Sequence, residues 1–205
     1  MELVFVRHGL PERVVVTEGT ADPHLDELGQ RQALAVAEFL AAGGIDAIWS
    51  SPMNRARETA QPLADITGLP VHIDNDLAEW DRDSAAYIPI EELRATNDPM
   101  WQKMLSGEWT GTQDPIAFKA IVVAAVDRIV LRHPGQTVAV VCHGGVVNAY
   151  LTHILEIPKS NGFFHPEYTS IHRVMASSKG HRSLLSLNEL THLHGKDLLP
   201  PNRFH

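Results

Sequence analysis

The sequence predicts an α/β layer fold with a largely parallel sheet, and the main observation is an alternation of strand-like and helix-like segments. Short apolar runs rich in β-branched residues are separated by longer segments with apolar residues at intervals of three and four. Such alternation is characteristic of a sheet covered by helices. The 205 residues are 44% hydrophobic and 20% charged, a composition typical of folded globular proteins and not of disordered or fibrous ones. At about 150 residues per domain, and with no internal repeat, we expect a single domain over residues 1–205.

Each element has a local reason in the sequence. Apolar runs predict strands at residues 3–6, 47–49, 71–73, 137–141, 170–177 and 183–188. Apolar residues at helical spacing predict helices at residues 28–40, 53–67, 116–132 and 146–155. Glycines follow the first three helices and end them, and Pro52 suits the start of the second. Lys179 and Gly180 separate the last two strands and predict a hairpin turn.

Three segments depart from this alternation. Residues 10–25 contain two prolines and are predicted to form a loop. Residues 76–115, called the excursion below, hold Trp80, Trp101 and Trp109 and only short helical stretches, which predicts a cap over a site. Residues 192–205 are polar, contain two adjacent prolines and are predicted to form a loose tail.

Charge and cysteine content exclude several classes of protein. A formal net charge of -8 lacks the basic footprint of a nucleic-acid binder and suits no anionic membrane surface. No apolar stretch reaches the roughly 18 residues that a membrane span needs, and the first residues do not resemble a signal peptide. We therefore expect a cytoplasmic protein with no nucleic-acid or membrane partner. The single cysteine, Cys142, excludes a disulfide framework and a cysteine-based zinc site.

Charged and polar residues follow three of the predicted strands. Arg7 and His8 come after the first, Arg55 lies one helical turn beyond the second, and His143 and Gly144 follow the fourth. Ligands of open parallel sheets bind beyond the carboxyl ends of the strands. Each pair alone is common in proteins, but together they predict a cationic pocket. Guanidinium groups and helix N-termini both suit phosphate.

Four short motifs in the same order resemble those of the histidine phosphatase superfamily, the phosphoglycerate mutase-like family. They are Arg7-His8-Gly9, the Ser50-Ser51-Pro52 turn with Arg55, Leu77-Ala78-Glu79, and Cys142-His143-Gly144-Gly145. The resemblance covers the chain from the first strand to about the end of the fourth helix. It implies a three-layer α/β/α fold with a mostly parallel central sheet.

The resemblance also implies roles for individual residues. His8 would be the nucleophile that becomes phosphohistidine, and Glu79 the acid that protonates the leaving oxygen. Arg7, Arg55, His143 and the backbone of Gly144 would bind the phosphoryl oxygens. The implied reaction hydrolyses a small phosphorylated metabolite and requires no cofactor and no metal.

Departures from the family pattern bear on which reaction is expected. Leu10 follows the first motif where many members have an acidic or amide residue and threonine, and Val14 stands where the mutases carry a tryptophan-asparagine element. The residues after Glu79 lack the glycine-rich turn of many relatives, so Asp81 is an alternative proton donor. These differences favour a phosphatase. A mutase-type phosphoryl transfer and a non-catalytic phosphate-binding module remain alternatives.

The remaining candidates concern the substrate pocket and assembly. Arg13, Asp81, His165 and Tyr168 are candidates for contacts with the substrate beyond its phosphate. The ten histidines other than His8 and His143 are expected to be mostly solvated polar residues. Asn148 stands where a cysteine phosphatase would carry its arginine, so Cys142 is expected to pack in the sheet. An apolar edge strand is compatible with a dimer.

Overall fold

The computed structural model describes residues 1–106, 113–158 and 163–199. Its strands are β1 (Glu2–Arg7), β2 (Val14–Val15), β3 (Ala47–Ser50), β4 (Val71–Ile73), β5 (Ala86–Tyr87), β6 (Thr137–Cys142), β7 (Ile171–Ala176) and β8 (Arg182–Glu189). Its α-helices are α1 (Glu27–Ala42), α2 (Asn54–Thr67), α3 (Ile90–Ala95), α4 (Pro99–Ser106), α5 (Pro115–Arg132) and α6 (Gly144–Ile154). Every predicted strand and helix is present, and no predicted end moves by more than two residues.

The central sheet has six strands in the order β4-β3-β6-β1-β7-β8. The four strands from β4 to β1 run parallel to one another. β7 pairs antiparallel with β1, and β8 pairs antiparallel with β7 as the predicted hairpin. The sheet is therefore mostly parallel, as predicted.

Alternate residues of β1 enter two separate cores. Leu3 and Phe5 pack in a cluster with buried residues of α5 and α6, whereas Val4 and Val6 pack in a cluster with α1 and α2. All four residues are at most 1% exposed, because successive side chains of a strand point to opposite faces of a sheet that is covered on both sides. The predicted three-layer α/β/α architecture is confirmed.

The loop that follows β1 packs directly against the start of α1. Asp26 caps this helix by accepting a hydrogen bond from the Gly29 amide at 2.6 Å. A Cβ atom added to Gly29 would overlap the carbonyl oxygen of Leu10, and one added to Gly9 would lie 2.6 Å from the carbonyl oxygen of Gly29. Two glycines thus permit a backbone contact that holds the residues after His8 against the start of α1.

The excursion is joined to the segment after β1. β5 pairs antiparallel with β2, with Val14 opposite Tyr87, so the prediction that residues 10–25 form only a loop is wrong at β2. Two valines with β-propensity find a partner strand that local sequence does not reveal. Trp80 packs against the core on the α5–α6 face, Trp101 lies in α4, and Trp109 lies outside the described residues. The role of residues 76–115 as a cap stays a prediction.

The tail prediction is wrong for the described residues after 191. Leu193 and Leu198 are 1% and 4% exposed and pack with Ala35 of α1. The carbonyl oxygen of Leu198 accepts a hydrogen bond from the buried side chain of Gln32 at 2.8 Å. Three scattered leucines anchor this segment although most of its residues are polar. The two prolines at 200 and 201 lie outside the described residues. Within the part of the chain that the structure describes, no helix has both the length and the apolarity to cross a membrane.

Candidate active site

The carboxyl ends of β1, β3 and β6 lie side by side. β6 is hydrogen-bonded between the other two strands, with Cys142 opposite Arg7 and Val141 opposite Ser50. Because the three strands are parallel and in register at this end, the residues that follow them emerge at one edge of the sheet. His8 and His143 consequently meet, with ring centroids 5.1 Å apart.

His8 is held as a neutral imidazole with a defined orientation. It is 2% exposed, and its Nδ1 lies 2.7 Å from the carbonyl oxygen of Gly9. A carbonyl only accepts, so Nδ1 carries the hydrogen and Nε2 carries the lone pair. Burial, followed by the positive charges of Arg55 and Arg7, holds the pKa of His8 well below its usual value.

His143 is buried against the turn after β3. Its Nε2 lies 2.7 Å from Ser51 Oγ, and that hydroxyl accepts a hydrogen bond from the Met53 amide at 3.3 Å. The hydroxyl still has its hydrogen to donate to Nε2, and in that arrangement Nδ1 is the protonated nitrogen of a neutral ring. Burial is the largest cause that keeps the pKa of His143 well below its usual value, followed by Arg55, His8 and Arg7.

Arg7 is buried and its guanidinium group is packed on an aromatic ring. Its Nη1 donates to the carbonyl oxygen of Pro166 at 2.6 Å. The guanidinium carbon lies 3.9 Å from the ring centroid of Tyr168, within the range of a cation–π interaction. The hydroxyl of Tyr168 in turn donates to Glu91 of α3 at 3.3 Å. The excursion thus contacts the residue that orients Arg7.

Arg55 is buried in a similar arrangement. It is 1% exposed, its Nη2 donates to Asp81 Oδ1 at 3.1 Å, and its guanidinium carbon lies 4.7 Å from the ring centroid of Tyr87. Thr59, one turn further along α2, donates to the carbonyl oxygen of Arg55 at 2.7 Å and accepts from the Gly9 amide at 2.9 Å. One hydroxyl therefore ties the helix that carries Arg55 to the loop that follows His8.

Four buried nitrogen atoms around the two histidines have no hydrogen-bond partner among the described residues. They are Arg7 Nε, Arg55 Nε, Arg55 Nη1 and His143 Nδ1. Leaving a buried donor unsatisfied costs about 1–3 kcal/mol, so their convergence at one place requires an explanation. An anion with several oxygen atoms, placed between the two arginines, would accept hydrogen bonds from all four.

Glu79 lies at the edge of this cluster as a buried carboxyl group. Oε2 accepts from the Gly145 amide at 2.8 Å and Oε1 accepts from the Trp80 amide at 3.0 Å. Burial raises the pKa of Glu79 to about 7, aided by the nearby Asp81, while the two amides and Arg55 act in the opposite direction. A Cβ atom on Gly145 would overlap Oε1 of Glu79, so only glycine allows this approach.

The structure brings some of the predicted pocket residues to the site and not others. Tyr168 lies beneath Arg7 and Asp81 binds Arg55, as described above. His165 lies close enough to Arg7 that the arginine helps burial to lower the pKa of His165 to about 3. Arg13 is about half exposed and pairs with Glu92 at 3.0 Å. Gly144 is the first residue of α6 and lies beside Arg7.

Other predictions from single residues are corrected or confirmed by burial. His172 and His192 are buried, not solvated, and they lie 2.9 Å from the hydroxyl of Ser170 and 3.1 Å from that of Thr169, respectively. Burial lowers the pKa of His172 to about 3 and that of His192 to about 4. Cys142 is buried in β6, as predicted. Among the described residues, no three His, Cys, Asp or Glu side chains come together as a metal site.

Several residues of the site were not anticipated from the sequence. Thr59 lies four positions after Arg55, so the helical period could have revealed it. Tyr87, Pro166 and Asp22 carry no such signal, because they reach the arginines only through long-range packing.

Comparison with known proteins identifies the family. The sequence-family model of the histidine phosphatase superfamily (branch 1) matches residues 3–189 of this chain. The chain belongs to the histidine phosphatase superfamily. The resemblance predicted from the four motifs is thereby confirmed.

The matches to individual relatives cover different shares of those relatives' chains. The first curated relatives, among them a bifunctional protein of Mycobacterium tuberculosis, are 33% identical over 147 residues, and the match spans only 40% of their length. Phosphoserine phosphatase 1 of Hydrogenobacter thermophilus is 27% identical over 203 residues, covering 94% of each chain. The crystal structure of phosphoserine phosphatase from Entamoeba histolytica in complex with 3-phosphoglyceric acid is similar with a TM-score of 0.73 and 26% identity, covering 94% of this chain and 98% of that one.

Proposed function

We propose that this protein is a phosphatase that hydrolyses a phosphomonoester of a small metabolite through a phosphohistidine on His8. The observation that carries the proposal is the convergence, around a neutral imidazole, of four buried nitrogens without hydrogen-bond partners among the described residues. Membership of the family and similarity to proteins named phosphoserine phosphatase support the same activity.

In the first step, the Nε2 lone pair of His8 would attack phosphorus. The bond between phosphorus and the ester oxygen breaks, and the leaving oxygen receives a proton from Glu79. In the second step, water attacks phosphorus, the phosphorus–nitrogen bond breaks, and Glu79 takes a proton from the water. The hydrogen bond from Nδ1 to Gly9 keeps the attacking nitrogen unprotonated and directed away from the loop.

Stabilisation of the transition state would come from the surrounding donors. Charge spreads over three equatorial oxygens during phosphoryl transfer, and Arg7, Arg55, His143 and the Gly144 amide supply donors there. Removal of one preorganised donor typically costs about 2.7–4 kcal/mol of barrier. The proposal requires no metal ion, because two guanidinium groups already provide positive charge.

Glu79 suits the role of acid and base better than Asp81 does. A group that first donates and then accepts a proton works best with a pKa near the working pH, and the pKa of Glu79 is raised to about 7. Asp81 is engaged in an ion pair with Arg55 at 3.1 Å, so its carboxylate already serves as the partner of that guanidinium group. We therefore assign the proton transfers to Glu79.

Hydrolysis of 4-nitrophenyl phosphate by the purified protein tests the proposal. We expect turnover that His8→Ala abolishes and that His181→Ala, a control at an exposed histidine, leaves unchanged. A phosphoenzyme that is acid-labile, base-stable and absent in His8→Ala is also expected. Absence of turnover would favour the phosphate-binding module, and interconversion of 2- and 3-phosphoglycerate faster than phosphate release would favour the mutase.

A further inference from the structure

Two carboxylates flank Arg55, one of the two buried arginines of the candidate active site. Asp81 Oδ1 lies 3.1 Å from Arg55 Nη2, and Asp22 Oδ1 lies 4.0 Å from Arg55 Nη1. Asp22 is fixed in this position, because its carboxylate accepts from the Asn54 amide at 3.0 Å and its carbonyl oxygen accepts from the Asn54 side chain at 3.1 Å. The positive charge of Arg55 is thus balanced by two acidic groups before any ligand binds.

A third carboxylate belongs to the same surroundings. Glu91 accepts from the hydroxyl of Tyr168, whose ring lies against Arg7. The charge of Glu91 is among those that favour the protonated form of Arg7. Both arginines that face the reacting phosphate therefore have acidic neighbours on the excursion or on the loop before α1.

Depth separates the two signs of charge. The Arg55 side chain is 1% exposed, whereas the side chains of Asp81 and Asp22 are 17% and 36% exposed. The floor of the site is cationic and its solvent side is acidic. A phosphate that reaches the arginines leaves the rest of the substrate on the solvent side, among the carboxylates.

Two cations of the excursion and its neighbouring loop are already paired. Arg13 binds Glu92 at 3.0 Å, and Arg82 lies 3.8 Å from Asp83. Neither offers an unbalanced positive charge to a second anionic group. A carboxylate of the substrate about 5 Å from one of the acidic side chains would therefore be repelled, even at the effective dielectric constant of a protein surface.

We propose that the preferred substrate has a leaving group without a second negative charge, either neutral or cationic. This inference rests on the proposed phosphatase function. It separates this protein from relatives named for substrates that carry a carboxylate, such as phosphoserine. The acidic rim, composed of Asp22, Asp81 and Glu91, would repel a substrate carboxylate that lies close to the phosphate.

Two matched pairs of esters test the inference, because in each pair a carboxylate replaces one uncharged group, a CH2OH group in the first pair and a hydrogen atom in the second. Glycerol 3-phosphate is compared with 3-phosphoglycerate, and phosphoethanolamine with phosphoserine. We expect kcat/KM to be at least tenfold higher for the member without the carboxylate in both pairs. Dissociation constants measured by calorimetry on His8→Ala protein should show the same order without turnover. The preference should shrink as salt is added, since the rim is partly exposed.

Charge-neutralising variants locate the cause. Asp22→Asn retains a side-chain oxygen that can accept from the Asn54 amide, and we expect it to reduce the discrimination severalfold. Asp65→Asn removes the same charge from an exposed position on α2, where the carboxylate accepts from the side chain of Gln61, and should leave the discrimination unchanged. Equal or inverted preference in either ester pair overturns the inference. The inference is also overturned if the carboxylate esters are preferred and Arg94→Gln removes that preference. Arg94 lies in α3, and its charge acts on His165 together with that of Arg7, so this result would place the second anion on that arginine.

Failure of this inference is distinguishable from failure of the proposed function. If 4-nitrophenyl phosphate is hydrolysed in a His8-dependent manner but the carboxylate esters are preferred, only the substrate class is wrong. If that ester is not hydrolysed, the phosphatase proposal is wrong, and the dissociation constants still decide which leaving groups the rim accepts.

Discussion

Two adjacent glycines at the start of α6 make the sharpest test of the role of Glu79. A methyl group at Gly145 would overlap Oε1 of Glu79 and lie 2.7 Å from Trp80 Cδ1, whereas a methyl group at Gly144 would lie 3.8 Å from its nearest neighbours. Neither glycine has a positive φ angle, so alanine is permitted by the backbone at both positions. Gly145→Ala should therefore displace the acid, and Gly144→Ala should not.

The expected size of the effect follows from what the displaced group does. General acid–base catalysis contributes about 10²- to 10⁴-fold, so loss of the Glu79 position should lower kcat by at least about 100-fold for an alkyl phosphate. The overlap with Glu79 is at the end of a flexible side chain, whereas the overlap with Trp80 requires its ring to move. The gain of about 1 kcal/mol in helix propensity from alanine offsets part of that cost. Thermal unfolding of Gly145→Ala should consequently remain close to that of the wild type.

The assay compares two leaving groups in both variants. An alkoxide needs a proton as it leaves, whereas 4-nitrophenolate leaves as a stable anion. Gly145→Ala should therefore lose much more activity on glycerol phosphate than on 4-nitrophenyl phosphate, and Gly144→Ala should stay within a few-fold of wild type on both. Equal losses on the two esters, or an equal loss in Gly144→Ala, would contradict the assignment of Glu79 as the acid.

Three further predictions concern pH, the arginine support and the tail. Because the pKa of Glu79 is raised to about 7 and the protonated form is the one required, kcat/KM for an alkyl phosphate should fall as pH rises through about 7. Asp81→Asn removes a charge that raises this pKa, so the midpoint of the pH–rate profile should move to lower pH; an unchanged midpoint would contradict the coupling. Tyr168→Phe keeps the ring under Arg7 and should retain KM in steady-state assays. Tyr168→Leu should raise KM several-fold, because a cation–π contact contributes about 0.5–2 kcal/mol. Similar KM values for the two variants would argue that the ring does not support Arg7. Leu193→Ala should lower the free energy of unfolding by about 2–5 kcal/mol in urea titrations, and a negligible change would mean that the tail is not part of the cooperative core.

Much of the fold was predictable because its signals are local. The strands that end at Arg7 and Cys142 are continuous apolar runs, as expected for strands buried on both faces. Their ends carry the motif residues directly, so a parallel sheet places His8 and His143 at the same edge, and they meet because β1 and β6 are neighbours. β2 was not predictable, because its two residues are a strand only through pairing with β5 in the excursion.

The sequence by itself determined the alternation of strands and helices, the family and the residues that meet at the carboxyl ends of β1, β3 and β6. Only the tertiary structure decided what surrounds those groups. Arg7 meets Pro166, 159 positions away, and Arg55 meets Asp22 and Asp81 on opposite sides in sequence. Such contacts depend on strand order and loop packing and leave no periodic trace in the chain. The burial of His192 and Leu193 against α1 has the same origin, because a few apolar anchors outweigh a polar composition when a complementary surface is present.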